Sequence, residues 1–110
     1  MLYIGVDLGT SAVKLLMMDE NGNIQKIVSK EYPLYFPYPG WSEQNPQDWF
    51  AQSMEGIKEL TSECDKSQVA GISFGGQMHG LVVLDKDDQV IRPAILWNDG
   101  RTAKETDYLN

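Results

Sequence analysis

The sequence opens with Met1-Leu-Tyr-Ile-Gly-Val-Asp-Leu-Gly-Thr-Ser-Ala-Val-Lys14, and this stretch decides the fold. Apolar residues in its first half recur at every second position, the period of a half-buried β-strand: Leu2, Ile4, Val6 and Leu8. A second apolar run extends from Ala12 to Met18. Between the two runs, Asp7 is followed closely by the small polar turn Gly9-Thr10-Ser11. The pattern predicts two strands joined by a tight turn, with one carboxylate at its entrance.

The turn has the residue types of a phosphate-binding loop. Successive backbone N–H groups in a tight turn form a concavity that binds anions. The Asp7 carboxylate is a hard oxygen ligand, which suits Mg²⁺ held directly or through water. Asp, Gly, Thr and Ser are also common turn formers, so an ordinary β-hairpin is the alternative interpretation of these residues.

Composition and charge restrict the class of protein. The 110 residues provide one domain at most. A net charge of −7 without any Lys/Arg-rich run argues against a nucleic-acid partner. No apolar stretch is long enough to span a bilayer, and Met1 leads into a strand pattern without a signal peptide. The single cysteine, Cys64, fits a reducing compartment. We therefore expect a cytoplasmic domain with neither a nucleic-acid nor a membrane partner.

Two further strands and a helix are expected along the chain. Asn21-Gly22 is a strong hairpin signal, and it leads into a third strand over 24–32 with Ile27 on its apolar face. A helix is predicted over 46–64, because Pro suits its first position and the residues of one largely apolar stripe recur at three- and four-residue steps: Trp49, Phe50, Ser53, Ile57, Leu60 and Cys64. Met54 is expected to widen this stripe. The next strand, 69–74, should join the sheet in parallel, since a helix separates it from the earlier strands.

The remaining segments are mainly loops. Residues 33–46 contain four prolines and four aromatic residues, so we expect this loop to pack against the domain. The loop 75–80 carries His79, the only histidine, beyond the carboxyl end of a strand, where open α/β sheets bind ligands. A hairpin over 81–91, a strand over 93–96 and a helix capped by Asp99 or Thr102 complete the prediction. The chain ends within that helix, which favours a longer protein.

Three stretches together resemble the N-terminal domain of the FGGY carbohydrate kinases. They are Tyr3-Ile-Gly-Val-Asp-Leu-Gly-Thr-Ser-Ala-Val-Lys14, Gly76-Gln-Met-His-Gly80 and Arg92-Pro-Ala-Ile-Leu-Trp-Asn-Asp-Gly-Arg101, and Gly40-Trp-Ser-Glu-Gln-Asn-Pro46 is similar too. The resemblance implies an α/β, ribonuclease H-like fold of the actin/hexokinase type, with a mixed sheet, an antiparallel opening and flanking helices. It also implies ATP-dependent phosphorylation of a sugar hydroxyl. The Met78-His79 pair is similar to that of members acting on the ketopentose D-xylulose.

The resemblance also implies a role for each candidate residue. Asp7 would organise Mg²⁺ on the phosphates of ATP, with Gly9, Thr10, Ser11 and Lys14 facing those phosphates. A separate group would contact the sugar: Met78, His79, Trp97, Asn98 and Asp99. Residues 1–110 would be part of the sugar-binding half, while the nucleotide domain and the catalytic base, an Asp, would lie beyond Asn110. The fragment would be inactive alone, and its exposed apolar surface favours a homodimer.

Several alternatives stay open at this stage. Within the kinases, the substrate could be ribulose, glycerol or gluconate. A non-catalytic actin-like nucleotide-binding module would share the opening motif but would not explain the motifs around His79 and Asn98. A nuclease of the same fold would use clustered carboxylates and two metals, and the negative charge of the chain opposes it.

Overall fold

The structure, a computed structural model, describes all residues from 1 to 110, and they form two units. The first unit contains Met1–Tyr32 and Gln47–Gln77, and the second contains Pro33–Pro46 and Met78–Asn110. The elements in chain order are β1 (Leu2–Leu8), β2 (Ala12–Asp19), β3 (Ile24–Glu31), β4 (Glu43–Gln44), α1 (Pro46–Leu60), β5 (Val69–Gly76), β6 (Ala94–Ile95) and α2 (Ala103–Leu109). A short 3₁₀ turn, Lys66–Gln68, precedes β5. No helix has the length and apolar character needed to cross a membrane.

The first unit is built on a four-stranded mixed sheet with the order β3-β2-β1-β5. Strands β1, β2 and β3 pair antiparallel in succession, whereas β5 lies parallel to β1. The turn between β2 and β3 contains Gly22 at φ +82°, a left-handed conformation that glycine adopts without strain. The antiparallel opening and the parallel addition of the strand after the helix, both predicted from the sequence, are therefore confirmed.

The core of the first unit lies between one face of the sheet and α1. The buried side chains come from alternate strand positions and from the helix: Ile4, Val6, Val13, Leu15, Met17, Val28, Tyr32 and Leu60. Trp49 and Ile57 of α1 pack against this cluster. A Cβ atom at Gly56 would lie 2.5 Å from a methyl carbon of Leu15, so the absence of a side chain there allows close approach of helix and sheet.

Three details of the predicted core are wrong. Ile27 is 58% exposed, because the register pairs it with Leu16, while its neighbour Val28 pairs with Leu15 on the buried face. Phe50 is 66% exposed, since it follows Trp49 by one residue and therefore turns away from the narrow contact stripe. Met54, which was predicted to widen this stripe, is also exposed.

The helix also ends earlier than predicted. α1 stops at Leu60 rather than Cys64, and Cys64 lies in the following turn, where it is partly buried against the core.

The second unit contains a small sheet in which β4 and β6 pair antiparallel. Isolated bridges extend it, from Tyr35 to Glu43 on one side and from Leu81 to Ile95 on the other. The expected hairpin over 81–91 is present, with an antiparallel bridge from Leu84 to Val90 and backbone hydrogen bonds from Asp85 N–H to Gln89 O at 2.9 Å and from Ile91 N–H to Val83 O at 3.2 Å. The expected strand over 93–96 is shortened to β6. Strand β4 was not predicted. Helix α2 begins after Thr102, whose side chain makes no capping hydrogen bond.

Candidate functional site

Asp7 and Lys14 lie directly opposite each other on the paired strands β1 and β2. Both residues are exposed. Directly paired residues in an antiparallel ladder point to the same face of the sheet. The carboxylate and the ammonium group are therefore presented together, two residues before and three residues after the turn at residues 9–11.

The turn backbone is fixed by contacts within the first unit. The Gly9 N–H donates to the Ala12 carbonyl at 3.0 Å, so this amide is used inside the turn. A Cβ at Gly9 would lie 3.0 Å from the same oxygen, which explains the glycine. From the end of β3, the Tyr32 hydroxyl donates to the Gly9 carbonyl and the Tyr32 N–H donates to the Ser11 carbonyl at 3.2 Å.

Tyr32 is the residue near this turn that the sequence did not single out. Its side chain is 6% exposed. Burial, together with the negative charge of Asp7, raises the pKa of Tyr32 to about 12. The hydroxyl is therefore a neutral hydrogen-bond donor over the physiological range. Its place directly after β3 could have indicated this role. Glu31 pairs with Ala12, so the next residue, Tyr32, lies beside the turn at residues 9–11.

A groove of about 400 Å³ in the first unit borders the two charged residues. Its lining includes Asp7 and Lys14 together with the apolar side chains of Leu16, Ile27 and Phe74. The charged pair is thus accessible to a ligand from the face of the sheet that carries it.

The residues around Asp7 fit a magnesium ion held mainly by water and phosphate. No group of three or more His, Cys, Asp or Glu side chains that could hold a metal occurs in the chain. Mg²⁺ keeps several waters and is commonly bound through one or two carboxylates plus substrate phosphates. The single exposed carboxylate of Asp7 matches that donor set.

In the second unit, two predicted sugar-binding loops are joined through the strand pair Leu81 and Ile95. Leu81 N–H donates to Ile95 O at 2.8 Å, and Ile95 N–H donates to Leu81 O at 3.0 Å. Because the pairing is antiparallel, the residues before Leu81 and those after Ile95 lie toward the same end of the sheet. The structure therefore brings the loop containing Met78 and His79 together with the turn containing Trp97 and Asn98.

These four side chains are accessible. Met78 is 68% exposed and Trp97 is 55% exposed, and His79 and Asn98 are also exposed. His79 has φ +64°, a left-handed conformation that is uncommon for a residue with a side chain. Strained backbone of this kind is concentrated at ligand-binding and catalytic sites.

Asp99 differs from the other predicted sugar ligands, because its side chain is only 2% exposed. Its carboxylate accepts hydrogen bonds from the Arg101 guanidinium and from the backbone N–H groups of Arg101 and Ser42. The Arg101 side chain, followed by these amides, holds the pKa of the Asp99 carboxyl well below its usual range. Asp99 is thus an ionised, buried group within a polar cluster.

The four-stranded mixed sheet with its antiparallel opening agrees with the ribonuclease H-like, actin/hexokinase-type fold that the resemblance implies. The sequence matches the FGGY family of carbohydrate kinases, N-terminal domain, over residues 2–110. The chain therefore belongs to the FGGY family of carbohydrate kinases.

The individual proteins and solved structures that the chain resembles include xylulose kinases and a gluconokinase. The chain is 52% identical over 104 residues to a xylulose kinase of Bacillus subtilis, covering 93% of the chain and 21% of the relative. It is 32% identical to a gluconokinase of the same organism, covering 90% of the chain and 19% of the relative. The solved structure of xylulose kinase from Rhodospirillum rubrum superposes with a TM-score of 0.94 at 29% identity, covering 99% of this chain and 23% of that one. The chain thus spans about a fifth of these relatives.

Proposed function

We propose that the complete gene product transfers the γ-phosphoryl group of ATP to a ketopentose, converting D-xylulose to D-xylulose 5-phosphate. The observation that carries this proposal is the exposed pair of loops in the second unit, in a chain 52% identical to a xylulose kinase. In this proposal, residues 1–110 form part of the N-terminal, sugar-binding domain, and the nucleotide domain and the catalytic base lie outside them.

The sugar would be held by the exposed side chains Met78, His79, Trp97 and Asn98. Trp97 supplies an apolar face, and His79 and Asn98 supply hydrogen-bonding groups for hydroxyls. Phosphoryl transfer needs chiefly positioning, because its transition state is loose and its charge is spread over the phosphate oxygens. The proton of the attacking hydroxyl would pass to the catalytic base outside this chain.

The phosphate groups of ATP would be handled by the turn in the first unit. Asp7 would hold Mg²⁺, which supplies charge neutralisation at the phosphates when it is bound. Thr10 and Ser11 carry hydroxyl donors and Lys14 carries a positive charge for phosphate oxygens. Gly9 would serve mainly to keep the turn tight, since its amide donates to Ala12.

The test is a coupled ADP-release assay on the complete gene product with a panel of D-xylulose, D-ribulose, glycerol and gluconate. We expect the highest kcat/KM for D-xylulose. A higher kcat/KM for gluconate, the substrate suggested by the 32% identical gluconokinase, would identify gluconate instead of D-xylulose as the substrate. Nucleotide binding without phosphorylation of any sugar would favour a non-catalytic actin-like module instead.

Two further expectations accompany the proposal. The cytoplasm is the expected location, because the substrates ATP and a free ketose are intracellular metabolites. A homodimer is the expected assembly of the isolated residues 1–110, because large apolar side chains that the rest of the protein would cover are exposed, among them Phe74 and Ile72 of β5. Sedimentation of residues 1–110 would measure this oligomeric state.

A further inference from the structure

A cluster of four charged side chains is centred on Arg101 in the second unit. The guanidinium nitrogen Nη2 of Arg101 lies 2.7 Å from Asp99 Oδ2 and 2.7 Å from Glu43 Oε2. Arg92 Nη2 lies 2.6 Å from the same Glu43 oxygen. The side chains of Arg101 and Glu43 are 11% and 9% exposed. Two carboxylates and two guanidinium groups give a cluster without net charge, which compensates the burial of its members.

This cluster joins segment 40–43 to segment 96–101. The Ser42 N–H donates to Asp99 Oδ2 at 2.7 Å, and the Gly100 N–H donates to the Gly40 carbonyl at 2.7 Å. The Arg101 guanidinium carbon lies 3.7 Å from the centre of the Trp41 ring, a cation–π contact. The two segments are therefore held together by backbone, ionic and aromatic contacts at once.

Asp99 has no acceptor capacity left for a sugar hydroxyl. Its Oδ1 accepts from the Arg101 N–H and from Arg101 Nε, both at 2.9 Å, and its Oδ2 accepts from Ser42 N and Arg101 Nη2. An ionised carboxylate offers about four lone-pair sites, and these four donors use them.

Asp99 also closes the turn that presents Trp97 and Asn98. The Asp99 N–H donates to the Leu96 carbonyl at 3.1 Å, so residues 96–99 form a β-turn with Trp97 and Asn98 at its two central positions. The other end of the turn is fixed as well, because the Leu96 N–H donates to the Ser42 carbonyl at 3.0 Å.

We propose that Asp99 is a positioning residue: by binding Arg101 and the Ser42 amide it fixes the turn whose tip, Trp97-Asn98, contacts the sugar. This inference rests on the proposed function and deepens it, because it separates the residues that touch the ketose from the one that orients them. Glu43 extends the same support, because its Oε2 binds the Arg101 Nη2 that also binds Asp99, and Arg92 in turn binds Glu43.

The test uses the complete gene product with the substitution Asp99→Asn and a panel of D-xylulose and its singly deoxygenated analogues. We expect the KM for D-xylulose to rise about tenfold and the KM for ATP to change less than twofold. The factor should fall only on the analogue that lacks the hydroxyl bound by Asn98, which the variant Asn98→Ala identifies separately, because a displaced turn weakens the contacts of Trp97 and Asn98 and leaves those of Met78 and His79. A factor that falls to one on any other analogue would show that Asp99 itself binds the missing hydroxyl, and would overturn the proposal.

A second variant keeps the test decisive if Asp99→Asn does not fold. Arg101→Lys retains the charge but loses the planar fork, and it should raise the sugar KM with the same dependence on the analogues. Where both single variants fold, their two factors should not multiply in the double variant, since both act through one contact. Multiplying factors would contradict the proposal.

The control is Glu59→Gln, which removes the exposed ion pair between Lys30 and Glu59 in the first unit. It should leave the sugar KM unchanged. A parent protein that phosphorylates no sugar would overturn the proposed function and this inference together. An active parent whose sugar KM is unaffected by Asp99→Asn would overturn the inference alone.

Discussion

At the scale of single residues, two buried polar side chains fix the two exposed turns. Tyr32 binds the carbonyl of Gly9, and Asp99 binds Arg101 and the Ser42 amide. In both cases the residues of the turn were recognisable from the sequence, whereas the supporting role was not: Tyr32 was not singled out, and Asp99 was expected to contact the sugar. The reason is physical: a turn residue is identified by its neighbours in the chain, but the partner of a buried polar group depends on tertiary pairing.

The Tyr32 hydroxyl provides a prediction about stability. Tyr32→Phe should destabilise the complete gene product by about 1 kcal/mol at neutral pH, because the Gly9 carbonyl loses a hydrogen bond in a site that is largely closed to water. Thermal unfolding midpoints of parent and variant, measured side by side, give this difference. Equal midpoints would contradict a supporting role for the hydroxyl.

The stability difference between the parent and Tyr32→Phe should depend on pH. The folded pKa of Tyr32 is raised to about 12, above the value of about 10 for an unfolded tyrosine. The contribution of the neutral hydroxyl is therefore complete below pH 10 and is lost as the pH rises from 10 to 12. The difference between the midpoints of parent and Tyr32→Phe should shrink over this interval, and a constant difference would contradict the raised pKa.

At the scale of elements, the strands were more predictable than their packing partners. Alternation in β1 gives its buried face correctly, because Ile4 and Val6 are both buried. In β3 the short pattern around Ile27 and Val28 contains two adjacent β-branched residues, so alternation alone does not choose between the faces. The pairing of Val28 with Leu15 determines which of the two side chains is buried, and this register depends on contacts with β2 that the sequence of β3 does not reveal.

Short elements were the least predictable. Strand β4 has two residues and lies beside a proline-rich loop, so its sequence carries no periodicity. It forms because Glu43 and Gln44 pair with β6, about fifty residues later in the chain. The charged cluster around Arg101 depends on this pairing and was therefore invisible from local sequence.

The two faces of β3 can be compared by the same replacement at adjacent positions. Val28→Thr should destabilise the protein by about 2 kcal/mol, because it introduces a hydroxyl into the buried cluster. Ile27→Thr keeps a β-branched side chain on an exposed position, and its effect should stay within about 0.5 kcal/mol. Thermal unfolding of the two variants tests the assignment, and a larger loss for Ile27→Thr would reverse it.

At the scale of the whole molecule, the chain carries the proposed phosphate-binding turn and the proposed pair of sugar-binding loops within about a fifth of the length of its relatives. Family membership was predictable because three separate motifs agree, although the first alone is shared by a whole superfamily. The predicted sugar-binding residues Met78, His79, Trp97 and Asn98 are exposed, and their roles stay predictions. The structure was needed to separate Asp99 from them, because Asp99 belongs to the same motif but its carboxylate is engaged by Arg101 and the Ser42 amide.

The central claim is that the loops carrying His79 and Trp97 bind the sugar and leave the nucleotide to other parts of the protein. The most direct measurement is the pair of KM values, for D-xylulose and for ATP, in the complete gene product and its His79→Ala variant. We expect the KM for D-xylulose to rise about tenfold, equivalent to about 1.4 kcal/mol, while the KM for ATP changes less than twofold. An unchanged KM for D-xylulose, or an equal rise in both values, would contradict the account.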